Sequence, residues 1–213
     1  MRIAIIGTGV VGRTLAQGLR DVGHDVVVGT RDPDATKKRD EWASLDVPLR
    51  PLGLVAADAD LVVNATNGQA SLSALGEVGS EHLAGKVLLD AANPLDFSQG
   101  FPPTLSVKDT DSLAEQLQRA FPETRVVKSL NTVTASVMVD PAGVGDGDTT
   151  IFAAGDDPEA RRQVVGLLQD LGWRDIVELE GIDNARGLEM WMGLWVRLMG
   201  ALGTTDFNLR LVR

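Results

Sequence analysis

The sequence has no cysteine among its 213 residues, which excludes disulfides, thiolate nucleophiles and thiolate-held metal or iron–sulfur centres. Positive charge is also scarce, with 20 Lys and Arg against 30 Asp and Glu and a formal net charge of −10. Nucleic-acid and anionic-membrane surfaces need clustered positive charge, so we expect neither as a partner. An anionic ligand must therefore be held locally, by backbone amides and a few arginines.

Long apolar segments are missing as well. The most hydrophobic stretch, Ile182 to Gly203, is interrupted by Glu189 and Arg197, and its uninterrupted part is too short to span a bilayer. Met1 leads directly into a predicted strand, without a signal segment, so we expect a cytoplasmic protein. Apolar residues make up 44% of the chain, enough to form a proper core at this length.

A glycine-rich turn follows the first predicted strand. Arg2 to Ile6 is apolar and β-branched, Gly7, Gly9 and Gly12 then fit G-x-G-x-x-G, and a helix is predicted from Arg13 to Arg20. In a dinucleotide site the first glycine makes the tight turn, the second lets the pyrophosphate approach the backbone, and the third lets the helix pack on the strand. The helix N-terminus offers free N–H groups to phosphates. This order predicts a Rossmann dinucleotide site.

The tip of the second predicted strand indicates which dinucleotide binds. His24 to Gly29 is followed by Thr30 and Arg31, where an NAD site usually has Asp or Glu for the ribose hydroxyls. A hydroxyl and a guanidinium suit a 2′-phosphate instead, because arginine can meet phosphate with two parallel hydrogen bonds. Asp32 comes one or two residues late, and we interpret it as the cap of the next helix. NADP is therefore the predicted cofactor.

Strands and helices alternate through the rest of the chain, which predicts an α/β, doubly wound parallel Rossmann sheet. We expect an NADP-binding domain at 1–140 and a small C-terminal α/β extension at 141–213, which contributes the acceptor pocket and dimer contacts. The expected strands are Val47–Leu49, Leu61–Asn64, Lys86–Asp90, Arg125–Leu130, Thr149–Ala153 and Asp175–Leu179. The expected helices are Asp34–Ala43, Gly53–Ala57, Ser71–Gly79, Ser112–Phe121, Pro158–Leu171 and Ile182–Gly203, with a linker at Asp140–Asp148.

Small polar residues follow the predicted strands at the edge where the nicotinamide should lie. Ala65, Thr66, Asn93 and Pro94 are expected beside the cofactor, and Asn67, Asn93, Asn131 and Thr132 are expected to position an acceptor. None of them forms an acid–base pair, and no set has metal-ligand spacing, so neither a catalytic acid nor a metal is predicted.

Few side chains elsewhere could supply the missing acid. His24 is expected to be structural, and His82 is expected to be solvated. For Lys128 the favoured interpretation is an ion pair across the sheet. The absence of an acid favours hydride transfer to a ring that needs little enzymic proton transfer, such as a deazaflavin or a flavin.

Several of these segments resemble one family, the NADP oxidoreductases that use the deazaflavin coenzyme F-420, which is related to the cytosolic domain of ferric reductases. The resemblance implies phosphate contacts at Thr30 and Arg31, loop contacts at Thr8, Val10 and Val11, a deazaflavin against the nicotinamide, and a dimer through the C-terminal helices. The segments that carry it are the glycine loop, Val27–Arg31, Asn93–Leu95, Gly100–Phe101, Val127–Thr132, Gly155–Asp157 and Asn184–Arg186 leading to Glu189.

The second-substrate residues depart from the family pattern. Asn67-Gly68 stands where the archetypal enzymes have Pro-Trp, Asn131-Thr132 stands where they have His-Thr, and the glycine loop is one residue shorter. Three functions stay open at this point: hydride exchange with a deazaflavin, reduction of a flavin, ferric chelate or imine by NADPH, and a non-enzymatic NADPH-sensing role. A homodimer is predicted from the apolar spacing of Trp191, Trp195, Leu198 and Leu202.

Overall fold

The computed structural model describes residues 1–213 and is built on an eight-stranded sheet with helices on both faces. Its strands are β1 (Arg2–Ile6), β2 (Asp25–Thr30), β3 (Leu49–Pro51), β4 (Leu61–Asn64), β5 (Val87–Asp90), β8 (Arg125–Ser129), β9 (Thr150–Gly155) and β10 (Asp175–Glu180). A two-stranded sheet is formed by β6 (Leu95–Asp96) and β7 (Thr104–Leu105). The helices are α1 (Val10–Asp21), α2 (Pro33–Lys37), α3 (Asp40–Ala43), α4 (Leu52–Val55), α5 (Gly68–Val78), α6 (Ser80–Leu83), α7 (Leu113–Ala120), α8 (Ala135–Val139), α9 (Pro158–Asp170) and α10 (Ala185–Leu202).

The strand order is β10-β9-β8-β5-β4-β1-β2-β3. From β3 to β8 every neighbouring pair is parallel, and the chain order reverses between β1 and β4. The doubly wound α/β prediction is thus confirmed. Ligands of such sheets bind beyond the carboxyl ends of the strands at the reversal point.

The last two strands extend this same sheet. β9 pairs antiparallel with β8, with Val127 opposite Gly155, and β10 is parallel to β9. The sheet is therefore mostly parallel, with one antiparallel pair where the C-terminal strands join it. The terminal segment also returns to the start of β9, where the Thr150 amide donates to the Leu209 carbonyl at 2.9 Å. The division into domains 1–140 and 141–213 stays a prediction.

The core consists of two apolar layers, one on each face of the sheet. Alternate residues of β1 point to opposite faces of the sheet. Ile3 and Ile5 belong to the same apolar layer as Leu15 of α1, whereas Ile6 belongs to the other layer, with Leu117 of α7. Each fully buried aliphatic side chain contributes about 1.5–3 kcal/mol relative to exposure. This packing fixes the positions of the carboxyl ends of the strands, from which the loops of the candidate site start.

Two predicted helices differ in detail. The helix expected at Asp34–Ala43 is divided into α2 and α3, because Arg39 has an extended backbone with ψ of 135°. The helix expected at Ile182–Gly203 starts with a short 3₁₀ turn at Ile182–Asn184, and α10 ends where Gly203 adopts a left-handed conformation with φ of 67°. The expected linker at Asp140–Asp148 contains two 3₁₀ turns, Pro141–Gly143 and Gly145–Gly147.

Helix α10 buries one face and exposes the other. Leu188, Met192 and Trp195 are buried by the rest of the chain, whereas Leu194 is 50% exposed and Leu202 is 57% exposed. No helix combines the length and apolarity needed to cross a membrane. The cytoplasmic location stays a prediction.

Candidate nucleotide and acceptor sites

The glycine loop between β1 and α1 has the geometry that a phosphate-binding turn needs. Gly7 has φ of +125°, and a Cβ there would lie 2.4 Å from the Ala65 carbonyl oxygen. A Cβ on Gly12 would lie 2.0 Å from the Gly7 carbonyl oxygen, whereas a Cβ on Gly9 would meet no atom within 4 Å. Gly7 and Gly12 are therefore needed for packing. Gly9 leaves open space in front of the helix N-terminus, where an anion is favoured.

A cavity of about 690 Å³ runs from this loop across the carboxyl edge of the sheet. Its lining includes Thr30 and Arg31, the residues predicted for the 2′-phosphate, together with Ala65 and Thr66. Asn67 also lines it. Its volume lies within the range of small-molecule and cofactor sites.

Local hydrogen bonds hold two of the three side chains at the tip of β2. The Asp32 carboxylate accepts a hydrogen bond from the Ala35 amide at 2.9 Å, so the predicted helix cap is confirmed. The Thr30 hydroxyl is buried and lies 2.8 Å from the Thr36 hydroxyl. Arg31 is exposed at the cavity rim. Asp32 is therefore engaged in capping, and Arg31 is the charged group at this end that faces outward without a capping role.

Arg39 is a cavity residue that the sequence reasoning missed. Its guanidinium donates to the Thr8 hydroxyl at 3.0 Å and to the Thr8 carbonyl at 3.3 Å, and it pairs with Glu41 through Nε at 3.0 Å. The Trp42 indole donates to the same Thr8 carbonyl at 3.1 Å. The basic run Lys37-Lys38-Arg39 by itself predicts a solvated face that helps to attract phosphate. The break between α2 and α3 instead turns Arg39 onto the glycine loop, and the buried Trp42 beside it was the available signal.

A second cavity of about 300 Å³ adjoins the first, because Ala65, Thr66 and Asn67 line both. Twelve of its 18 lining residues are hydrophobic. Val10 and Val11 lie on this second cavity rather than on the first. Its far wall is formed by helix α10 through Met192 and Trp195.

The structure brings together three of the four residues that were expected to position an acceptor, because Asn67, Asn93 and Asn131 all line the second cavity. The fourth, Thr132, lines neither cavity, and its carbonyl accepts from the Trp191 indole at 3.2 Å. Pro94 lines neither cavity either, since its carbonyl accepts the Ser106 amide at 2.8 Å.

Asn93 and Asn131 form a reciprocal pair. The Asn131 amide donates to the Asn93 side-chain oxygen at 2.9 Å and to the Leu188 carbonyl at 2.9 Å. The Asn93 amide donates to the Asn131 carbonyl at 2.8 Å. The structure thereby fixes both side chains at the cavity wall.

Two buried polar atoms beside this pair have no hydrogen-bond partner. They are the Oδ1 oxygen of Asn131, which is 2% exposed, and the indole nitrogen of Trp195, which is 9% exposed. Buried polar groups are nearly always paired, and an unpaired one is costly. Both atoms belong to residues that line the second cavity.

No histidine or lysine lines either cavity. His24 lies 3.3 Å from the Asp170 carboxylate at the start of β2, and the half-buried His82 belongs to α6. Lys128 forms ion pairs with Asp90 at 2.8 Å and Glu189 at 2.9 Å, which confirms the pairing interpretation.

The charge states of this buried group follow from its contacts. Burial lowers the pKa of Lys128, but Asp90 and Glu189 outweigh burial and raise it above its ordinary value. Burial raises the pKa of Glu189, whereas Lys128 and the Leu113 amide oppose that rise. Every neighbour of the Glu189 oxygens is a donor, so the geometry serves the carboxylate form.

A Rossmann sheet, a glycine-loop cavity and an adjoining apolar cavity define a dinucleotide-binding oxidoreductase fold. Residues 2–94 match the family model described as NADP oxidoreductase, coenzyme F420-dependent. The F420-dependent NADP reductase of Methanothermobacter marburgensis is 31% identical over 210 residues, covering 93% of this chain and 92% of that protein. The chain therefore belongs to the F420-dependent NADP oxidoreductase family.

Two further comparisons extend this result. The crystal structure of a candidate F420-dependent NADP-reductase from Arthrobacter sp. FB24 superposes with a TM-score of 0.97 at 52% identity, covering all of both chains. Metalloreductase STEAP3 of Rattus norvegicus is 29% identical over 88% of this chain, but the match spans only 36% of that protein.

Proposed function

We propose that this protein is an NADP-dependent oxidoreductase that transfers a hydride between NADP(H) and a deazaflavin of the F420 type. The observation that carries the proposal is the largely apolar second cavity, which adjoins the nucleotide cavity at Ala65, Thr66 and Asn67 and is lined by the amide side chains of Asn93 and Asn131. The pyrimidine edge of a deazaflavin carries both N–H and C=O groups, and an amide side chain can accept from the first and donate to the second.

The nucleotide would be held by groups at separate points of the first cavity. The backbone of Gly7 to Gly9 and the N-terminus of α1 suit the pyrophosphate. Thr30 and Arg31 suit the 2′-phosphate, and Arg39 adds positive charge beside Thr8. Ala65 and Thr66 line both cavities, which supports placing the nicotinamide between them.

The second cavity offers positioning rather than acid–base chemistry. No residue that lines it is titratable near neutrality. When bound, the nicotinamide supplies or accepts the hydride. The chain's own part is to hold the acceptor with Asn131 and Trp195 and to exclude water with the apolar wall, which lowers the barrier through orientation.

The test compares acceptors under identical conditions. NADPH carrying deuterium at C4, NADPH alone and NADH are each offered with coenzyme F420, FMN and a ferric chelate. We expect F420 to be reduced from NADPH with retention of deuterium, and no enzyme-derived pKa between about pH 6 and 8 in the hydride step. Absence of F420 reduction by an NADPH-binding preparation would refute the proposal.

Reduction of a ferric chelate is the second candidate, favoured by the similarity to metalloreductase STEAP3. Reduction of the ferric chelate without reduction of F420 would support this second function. NADPH binding without turnover of any acceptor would select the sensing role instead.

A homodimer through α10 is also proposed, but with other residues at the interface than the sequence suggested. Trp195 was expected at the interface, but it is buried within its own chain and stacks on Phe207 with ring centroids 5.3 Å apart. The exposed face instead carries Met190, Leu194 and Leu202. We expect a dimeric mass at micromolar concentration and a monomer for Leu194→Asp. A monomeric wild type would contradict this.

A further inference from the structure

The group formed by Asp90, Lys128 and Glu189 lies at the centre of the molecule and outside both cavities. The three side chains are at most 1% exposed. The Lys128 ammonium contacts the Asp90 carboxylate at 2.8 Å and the Glu189 carboxylate at 2.9 Å, and it also donates to the Ala92 carbonyl. An ammonium has three N–H donors, so each of them has an acceptor.

Stability alone explains such a group poorly. Removing charges from water is expensive, and well-packed apolar residues in place of a buried ion pair are often neutral or stabilising. The best-attested role of buried charged groups is to specify one arrangement among several. The segments that this group joins therefore show what it does.

One of these segments is the start of the loop after β5. The Asp90 carboxylate accepts from the Ala92 amide at 3.2 Å, and Lys128 donates to the Ala92 carbonyl, so both backbone groups of Ala92 are held. Ala92 and Asn93 line the second cavity. Their position relative to that cavity therefore depends on the buried charges.

The same carboxylate reaches the nucleotide side. Asp90 accepts from the Asn64 amide at 2.8 Å, and the Asn64 oxygen accepts from the Thr66 hydroxyl at 2.7 Å. Thr66 lines both cavities. A continuous chain of hydrogen bonds thus joins the buried group to the boundary between the two sites.

The other segment is helix α10. Glu189 lies in this helix and accepts from the Leu113 amide at 2.9 Å and the Ala114 amide at 3.2 Å, at the start of α7. Met192 and Trp195 of the same helix form the far wall of the second cavity. The ion pair between Glu189 and Lys128 therefore joins the two opposite walls of that cavity.

We infer that Lys128, through Asp90 and Glu189, is the positioning residue that sets the separation and orientation of the two walls of the acceptor cavity. It holds Asn93 on one side and Met192 and Trp195 on the other without touching the acceptor. The inference rests on the proposed function, because it assigns the acceptor to this cavity.

The test variant is Lys128→Met, and Val127→Ala is its matched control. Val127 is the preceding residue of β8, is fully buried, and points to the opposite face of the sheet. For Lys128→Met we expect about a tenfold or greater loss of kcat/KM for F420, since small misplacements cost up to about a hundredfold. The affinity for NADPH should change less than kcat/KM for F420, because Lys128 contacts no residue of the glycine loop and reaches the nucleotide cavity only through Asp90, Asn64 and Thr66.

The control separates positioning from general destabilisation. Val127→Ala should lower the melting temperature but leave both kinetic constants for F420 close to wild type. Glu189→Gln is the second variant, and it should reproduce the effect of Lys128→Met. Should Lys128→Met fail to fold, Glu189→Gln decides the question.

A measurement that does not depend on catalysis tests the role of Lys128 separately from the proposed function. Amide hydrogen exchange, measured without acceptor, should rise selectively in residues 91–95 and 185–196 of Lys128→Met. Val127→Ala should not produce that pattern. Wild-type protein that fails to reduce F420 would refute the proposed function, whereas exchange and kinetics equal to those of Val127→Ala would overturn the role of Lys128.

Discussion

Replacing Arg31 with alanine tests the nucleotide assignment most directly. Arg31 lies exposed at the rim of the nucleotide cavity, and the neighbouring Asp32 carboxylate is engaged by the Ala35 amide at 2.9 Å. Arg39 also lines this cavity, but its guanidinium is held by the Thr8 hydroxyl and by Glu41. We therefore expect Arg31→Ala to weaken NADPH binding and to leave NADH binding unchanged.

The size of the effect follows from the exposure of Arg31. A hydrogen bond to a charged group contributes about 1.5–3 kcal/mol, and solvent exposure places this contact at the lower end. About 1.4 kcal/mol corresponds to a tenfold change in affinity, so Kd for NADPH should rise by roughly tenfold. Arg31→Lys keeps the charge but loses the planar fork, so its effect should be intermediate.

Titration of both nucleotides, followed by intrinsic fluorescence or calorimetry, measures these constants. The control is Arg162→Ala, because Arg162 is an exposed arginine of α9 that lines neither cavity. Higher salt should narrow the difference between NADPH and NADH, since the contact is screened. Equal affinities of the wild type for the two nucleotides, or an equal loss of both in Arg31→Ala, would refute the reasoning.

Three further predictions concern the loop, the acceptor cavity and pH. Gly12→Ala should abolish nucleotide binding and lower the melting temperature, because its Cβ would lie 2.0 Å from a backbone oxygen; Gly76→Ala, with open space around it, should not. Trp195→Phe removes the unpaired indole N–H, so KM for F420 should rise by about two- to tenfold, as for one hydrogen bond. The Arg186 guanidinium beside Glu115 lowers the pKa of that carboxyl. The free energy of unfolding in urea should therefore be higher for wild type than for Glu115→Gln at pH 7. This difference should be lost as the pH falls below about 4.3, because the carboxyl is then protonated.

The sequence by itself determined the features that depend on neighbouring residues. The glycine spacing predicted the turn after β1, the Thr30-Arg31 tip predicted a cavity end suited to phosphate, and Asp32 was recognised as a helix cap. Each of these depends on backbone conformation or hydrogen bonds within a few residues. Such contacts are formed in the same way wherever the segment lies in the fold, so the pattern is sufficient to predict them.

Only the tertiary structure decided which distant side chains meet. Trp195 was expected at a subunit interface, but it lies on the acceptor cavity because Phe207 and the end of the chain cover α10. Glu189 was interpreted as an interruption of an apolar helix, yet it pairs with Lys128 of β8. Arg39 reaches Thr8 only because the chain breaks between two short helices. These contacts depend on strand order, helix rotation and loop direction, which are set by packing across the whole chain and leave no periodic signal in the local sequence.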